Sequence, residues 1–412
     1  MLSIYNTVVF ITWQLLKLLA SANAKLALFV AGRKQTFSKL REEISNTDRT
    51  IWIHAASLGE YEQGLPIMQR LRLDYPDHKL VLTFFSPSGY EIKKNTPEAD
   101  VVVYLPVDTK KKAIAFLDIA HPELVIFIKY EIWPNYLNAL GNRKIPTLLI
   151  SAVFRKSQLF FKGYGGFMRS SLKNFSHFYV QDNKSKELLQ SIDLTNVTMT
   201  GDTRFDRVSE ILERDNSLKF MDSFSKDHTC FVAGSTWPED EKCIVDFINN
   251  LPNTTKFVIA PHNVKTNLIL SLKTSIKKNT KLFSEIEDID LKTTQVLIID
   301  TIGLLTKIYS YADIAYVGGG FATGLHNTLE PAVFGIPVII GPNYSGFLEA
   351  ENLVNLGGVI AIANNTEFNS IAEMLLNNEE KRTELGHING SYIEKNKGAS
   401  IQIMDGIRTL IK

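Results

Sequence analysis

Residues 51–64, IWIHAASLGEYEQG, pass from a short apolar run through a polar turn into a helix-like pattern. A run such as Ile51-Trp52-Ile53-His54, rich in β-branched and aromatic residues, reads as a strand buried on both faces of a parallel sheet. The segment after it, Ser57-Leu58-Gly59-Glu60, fits the S-x-x-E capping box, in which Ser and Glu satisfy each other's backbone N–H groups at a helix start. Strand, turn and helix in so few residues make one βα step. If the chain repeats that step, the fold is decided.

The step recurs. Six further strand-like runs follow at intervals, KLVLTFF, VVVYLP, ELVIFI, PTLLIS, HFYV and NVTMTG, with helix-like segments between them. Charged residues thicken between Asp206 and Asp227, and the alternation restarts with TCFVAG, KFVIAP, QVLIID, DIAYVGG, GIPVIIG and GGVIAIA. This pattern predicts an α/β fold of two doubly wound parallel-sheet domains. A chain of 412 residues has the length for two such cores. The expected division is residues 32–206 for the first domain and 207–412 for the second, with the last helix free to cross back to the first.

Residues 1–31 stand apart. On one helix, Ile4, Val8, Ile11, Leu15, Leu18, Ala22, Leu26 and Phe29 would form an apolar stripe, while Thr7, Gln14, Lys17, Ser21 and Lys25 fall elsewhere. Lys17 interrupts the run that a spanning helix would need, and no basic segment precedes it as in a signal peptide. The expectation is a helix lying at a membrane interface, with Arg33, Lys34, Lys39 and Arg41 facing anionic headgroups. An amphipathic helix packed on its own domain fits the same stripe.

Composition excludes some classes. Lys and Arg total 45 against 44 Asp and Glu, so the charge sum does not favour a nucleic-acid surface. The cysteines, Cys230 and Cys243, show no metal or redox spacing and read as reduced thiols. His54, His262 and His326 lack zinc spacing. Asp288-x-Asp290 sits in a polar loop and reads as a solvated turn, so no metal is expected.

In wound sheets, ligands bind beyond the carboxyl ends of strands. The polar stretches HAASLGE, KYEIWPN, GSTWPEDE, APHN and GGGFATGLHNTLEP all fall directly after strand-like runs. The last sets Gly318, Gly319 and Gly320 before a helix expected to begin near Asn327, an arrangement suited to backbone approach and anion binding. It matches neither the P-loop nor the G-x-G-x-x-G pattern. Residues 154–173, FRKSQLFFKGYGGFMRSSLK, interleave basic and aromatic side chains, which suits an acidic amphiphile or an ordinary solvated helix equally.

On HAASLGE, EIWPN, GDTRFD (Gly201 to Asp206), GSTWPEDE, HNTLEP and GIPVIIGP, the sequence resembles the Kdo transferases of lipopolysaccharide assembly over nearly its whole length. The resemblance implies a GT-B architecture, two Rossmann-like domains facing a cleft, with a membrane-associated N-terminus. It implies inverting, metal-independent transfer of Kdo from the donor CMP-Kdo to a lipid A precursor (lipid IVA) at the cytoplasmic face of the inner membrane, with no further cofactor. By position, Glu60 corresponds to the general base, and Glu131 and Arg204 to groups stabilising the transition state. Pro261, His262, Ile302, Gly303, Leu304, Asn327, Thr328, Leu329 and Glu330 correspond to the CMP-Kdo site. Ser57, Gly59 and Arg155 fall on the acceptor side.

Some positions depart from the family pattern. Arg204 stands where Lys is frequent, Pro261 where Arg is, Leu304 where Glu is, Leu325 where Gly is and Lys129 where Glu is. A sugar-nucleotide epimerase of the same architecture, and a catalytically silent lipid- or nucleotide-binding protein, are the competing readings. Gly59 favours chemistry over capping, since glycine costs about 1 kcal/mol against alanine inside a helix but leaves room for a sugar. Glu60 is therefore expected to point toward substrate and not to fold back on Ser57.

Overall fold

The computed structural model describes residues 2–252, 255–286, 291–322 and 324–411. The chain divides into two compact units, Met1–Arg207 with Lys397–Lys412, and Val208–Asn396.

Among the described residues, seven strands form the sheet of the first unit. They are β1 (Arg49–Ala55), β2 (His78–Phe84), β3 (Val101–Tyr104), β4 (Pro122–Ile128), β5 (Thr147–Ala152), β6 (His177–Val180) and β7 (Val197–Met199). All pair in parallel, in the order β3-β2-β1-β4-β5-β6-β7. The chain builds outward from β1 to β3, then returns to set β4 against the other side of β1. That reversal is the switch point of a wound sheet, where a crevice opens at the carboxyl ends.

The alternation along β1 shows why it lies in the middle. Ile51, Ile53 and Ala55 face one core with Leu65 and Met68 of the helix Leu58–Asp74 and Ile403, Met404 and Ile407 of the helix Ala399–Leu410. Trp52 faces the other core, its ring 4.7 Å from Phe116, 5.2 Å from Phe127 and 5.5 Å from Tyr136. Fully burying a large apolar side chain stabilises by roughly 1.5–3 kcal/mol, so a strand apolar on both faces is driven to the centre. His54 shares the face of Trp52 and is placed opposite Thr83 of β2 and Phe127 of β4 by register.

The second unit repeats the plan with β8 (Cys230–Thr236), β9 (Lys256–Pro261), β10 (Thr280–Leu282), β11 (Val296–Ile298), β12 (Ile314–Val317), β13 (Val338–Ile340) and β14 (Val359–Ala361). Its order is β10-β11-β9-β8-β12-β13-β14, so the switch point falls between β8 and β12. The edge strand β10 has no counterpart among the runs read from sequence. Thr280-Lys281-Leu282 pairs on one side only and offers one buried residue.

The N-terminus departs from expectation. Residues 1–31 were expected as one helix, but two form, Leu2–Leu19 and Ala24–Gly32. Between them Asn23 accepts the backbone N–H groups of Lys25 at 2.9 Å and Leu26 at 3.2 Å, an N-cap that starts a new helix. The stripe is split as a result. Ile4, Val8, Ile11, Leu15 and Leu18 all stay more than half exposed, whereas Phe29 turns inward against Phe85 and Arg33. The inner face of the first helix is tied down, because Tyr5 donates to Asp108 at 2.7 Å and Asn135 donates to Asn6 at 2.9 Å. Among the described residues, Leu2–Leu19 is the one helix long and apolar enough to cross a membrane.

Candidate active site

In the first unit, three loops meet at the switch point. The helix Leu58–Asp74 begins directly after β1, with Ser57 extended at the cap position and Gly59 and Glu60 in the first turn. Neither half of the capping box that the S-x-x-E pattern fits is formed. The Ser57 side chain makes no cap bond, and its hydroxyl donates instead to Oε2 of Glu60. Glu60 does fold back on Ser57, contrary to the sequence expectation, but onto the side chain and not the amide. Among the described residues no donor reaches its other oxygen, Oε1.

Gly59 is not required by the fold around it. Its φ is not in the left-handed region, and a Cβ would meet only the Ser57 hydroxyl, at 3.8 Å. The space beside Glu60 is open.

The loop after β4 begins with a kink. Lys129 has φ +68, a left-handed conformation that costs a residue with a side chain about 1–3 kcal/mol. The chain turns there, and Glu131 comes back over β1. Its Oε2 accepts from the indole N–H of Trp133 at 2.9 Å and lies 3.0 Å from Nε2 of the fully buried His54. Asp202, in the loop after β7, is clasped by the Arg204 guanidinium at 2.8 and 2.7 Å and accepts the Arg204 amide at 2.9 Å.

Tyr130 stands between the kink at Lys129 and Glu131. Burial raises its phenol above the ordinary value, Arg155 and Arg204 pull it down, and Glu60 and Asp182 push it up. Tyr130 is 41 % exposed, with the Lys129 ammonium 5.4 Å from the centre of its ring, and Arg155 is exposed. Nothing in the residue pattern singles out Tyr130, because its position depends on the kink at Lys129.

The aromatic–basic segment 154–173 is partly core. Phe154 and Phe160 are buried in the first unit, and Tyr164 is exposed.

In the second unit, β8 ends in a bulge at Ser235, whose φ is +55, and Trp237 opens the helix Pro238–Asn250. Asp240 locks this loop to the glycine loop after β12. The buried carboxylate accepts from the amides of Trp237 and Gly319, each at 2.9 Å, and from the Tyr316 hydroxyl at 2.7 Å.

His262 follows β9 and joins a stack of rings, 4.9 Å from Trp237 and 4.5 Å from His326. The Trp237 indole donates to Nε2 of His326 at 3.0 Å. Burial, then the neighbouring His262, lowers the affinity of His326 for a proton, so it is held neutral.

The glycine triplet serves packing more than was expected. A Cβ at Gly318 would meet the Ser235 carbonyl oxygen at 2.3 Å, and one at Gly320 would meet the Gly341 backbone at 2.7 Å. The helix expected from Asn327 is a four-residue turn, Leu329–Ala332, with Thr328 at its cap position. Asn327 accepts the Leu329 amide at 3.1 Å and donates to Glu330 at 3.0 Å, while Thr306 donates to the other Glu330 oxygen at 2.9 Å.

The sequence-predicted nucleotide residues thus come together in part. Thr306 ties the loop of Ile302, Gly303 and Leu304 to Asn327–Glu330, and the ring stack ties Pro261-His262 to His326. Ile302 itself is 84 % exposed. Asp288 and Asp290 lie outside the described residues.

Residues 31–207 match the family described as 3-Deoxy-D-manno-octulosonic-acid transferase (kdotransferase). Three relatives carry the name 3-deoxy-D-manno-octulosonic acid transferase. The Haemophilus influenzae protein is 28% identical over 88% of this chain and 87% of its own length. That of Rickettsia felis is 30% identical over 75% of this chain and 67% of its own length, and that of Aquifex aeolicus 27% identical over 86% and 95%. Among solved structures, the UDP-GlcNAc 2-epimerase of Neisseria meningitidis aligns with a TM-score of 0.63 at 17% identity, covering 87% of this chain and all of that one. MurG of Acinetobacter baumannii aligns with a TM-score of 0.55 at 11% identity, covering 88% and 99%. At such identities these two show the fold alone, which is GT-B with a parallel sheet in each domain.

Proposed function

The chain belongs to the Kdo transferase family, and from that premise we propose that it moves Kdo from CMP-Kdo to a glucosamine hydroxyl of a lipid A precursor (lipid IVA) at the cytoplasmic face of the inner membrane. That it is a glycosyltransferase handling Kdo in lipopolysaccharide biosynthesis follows from relatives matched along most of their length. Donor, acceptor and residue roles are the proposal.

The observation that carries it is that Glu60 and Glu131, after β1 and β4 on either side of the switch point, each have one oxygen held by the protein and one that no described residue reaches. CMP is a good leaving group, so the protein must activate a hydroxyl and support charge on the sugar. Glu60 takes the acceptor proton on Oε1 while Ser57 holds Oε2. The acceptor oxygen forms a bond to the anomeric carbon from the side opposite the leaving phosphate. The bond to CMP breaks and its electron pair leaves with the phosphate, which gives inversion. Arg204, after β7, and Glu131, after β4, are assigned to stabilise the charges that develop. Pro261, His262, Asn327, Thr328, Leu329 and Glu330 in the second unit are assigned to CMP, with Ile302 to Leu304 on the neighbouring loop.

The exposed stripe Ile4, Val8, Ile11, Leu15 and Leu18, on a helix tied to its domain by Tyr5 and Asn6, suits a helix lying on a bilayer. Incubating the purified protein with CMP-Kdo and tetra-acylated lipid A precursor, followed by mass spectrometry of the lipid, tests the whole reading. A lipid heavier by whole Kdo residues is expected. Release of CMP with the lipid mass unchanged would contradict it.

A further inference from the structure

Glu131 is anchored by one oxygen only, and what anchors it is buried. His54 is fully inaccessible on β1, with Nε2 3.0 Å from Oε2 of Glu131 and Nδ1 2.8 Å from the hydroxyl of Thr83. Thr83, also fully buried, in turn accepts the indole N–H of Trp52 at 2.8 Å. At the rim, the Trp133 indole donates to the same Glu131 oxygen at 2.9 Å, and its ring lies on Phe85 at 4.9 Å.

Both ring nitrogens of His54 are engaged, and the Trp133 indole nitrogen that donates to Glu131 also lies 3.2 Å from Nε2. A bare Nε2 would set a lone pair against a carboxylate, so Nε2 carries the proton that Glu131 accepts. Nδ1 lies 2.8 Å from the Thr83 hydroxyl and 3.1 Å from the Thr83 carbonyl oxygen, while Trp52 donates to the Thr83 hydroxyl oxygen from behind. Every polar atom in this row has a partner, as burial demands. Two donors converge on Oε2. Among the described residues none reaches Oε1, and the Glu131 side chain is 14% exposed.

We propose that His54 is a positioning residue, which together with Trp133 fixes Glu131 by one oxygen so that the other is presented to substrate. The inference rests on reading Glu131 as substrate-facing. Its chemistry is that of a preorganised acceptor. Oε1 takes a hydrogen bond from a sugar or glucosamine hydroxyl, and the carboxylate need not reorganise as charge develops. Register explains why a histidine does this. A residue at position 54 is set opposite Thr83, and its tip is carried to the carboxyl end of the sheet under the loop after β4.

The test compares His54→Gln, His54→Asn and Glu131→Gln in the full-length protein, reading kcat, KM for CMP-Kdo and thermal midpoint. The glutamine amide nitrogen stands about where Nε2 stands and keeps the bond to Glu131. The asparagine amide stands about where Nδ1 stands and keeps only the bond to Thr83. Positioning requires kcat of His54→Asn to fall about 100-fold, the cost typical of a displaced catalytic group, with KM unchanged. His54→Gln is expected to stay within about tenfold of the wild type.

A purely structural histidine would lose stability and activity equally in both variants, and that result overturns the proposal. Full activity in His54→Asn overturns it as well. Full activity in Glu131→Gln would instead overturn the substrate-facing reading beneath it. Trp133→Phe removes the rim donor and its 3.2 Å contact with Nε2 but leaves the imidazole in place, so it keeps the test open if both His54 variants fail to fold. A fall in kcat at constant KM supports the anchoring, and an unchanged kcat contradicts it.

Discussion

The switch points of the two sheets are alike in topology and opposite in how their acidic groups are left. In the first unit, Glu60 and Glu131 each have one oxygen held by the protein and one that no described residue reaches. In the second, Asp240 is filled by two amides and a hydroxyl, and Glu330 by Thr306 and Asn327. An acid with an open oxygen can take a proton or a substrate hydroxyl, whereas an acid held at both oxygens is fixed in place and is no longer poised as a base. The contrast fits proton transfer in the first unit and nucleotide holding in the second.

The contrast breaks most visibly in stability. Asp240→Ala leaves the buried Gly319 amide, the part-buried Trp237 amide and the buried Tyr316 hydroxyl without an acceptor, and each orphaned buried group costs about 1–3 kcal/mol. A loss of roughly 3–5 kcal/mol in the second unit is expected by denaturant titration, against less than about 0.5 kcal/mol for Glu60→Ala, whose site is partly open. Equal losses would erase the distinction.

A smaller effect sharpens it from the other side. Gly59→Ala meets only the Ser57 hydroxyl at 3.8 Å, so stability should hold or rise by about 0.4–1 kcal/mol, while transfer falls because the methyl group occupies the space beside Glu60. Unchanged kinetics would mean the space is not used.

The smallest effect is pH dependence in the second unit. His326 is held neutral, with its proton affinity below the ordinary value of 6.5 because of burial first and His262 second. The unfolded chain therefore takes up a proton there before the folded chain does. The stability from this group is complete above the ordinary value and is lost as pH falls below it. Thermal midpoints measured from pH 7.5 to 5 should drop, and His326→Gln should flatten that part of the slope.

Much of the fold was legible because central strands are apolar on both faces and leave unbroken runs in the sequence. The edge strand Thr280–Leu282 was not, since a strand paired on one side leaves no such run. The break at Asn23 was hidden because apolar spacing continues across it, and one capping side chain decides the matter. The motif stretches HAASLGE, EIWPN and HNTLEP do lie after strands β1, β4 and β12, as their apolar leads suggested. Sequence missed what depends on backbone shape. Tyr130 owes its place to the kink at Lys129, and Gly318 and Gly320 answer to neighbouring backbone. The turn of Glu60 onto the Ser57 hydroxyl was read wrongly because a capping box names only backbone partners.

The central claim is that Glu60 takes the acceptor proton. Glu60→Gln has nearly the same shape and can keep the Ser57 contact but is no base, so single-turnover transfer of Kdo from CMP-Kdo to the lipid acceptor tests it directly. A rate lower by about 10²–10⁴-fold, the usual worth of a general base, with an unchanged thermal midpoint and CMP affinity, is the expected result. Transfer at the wild-type rate by the folded variant would contradict the claim.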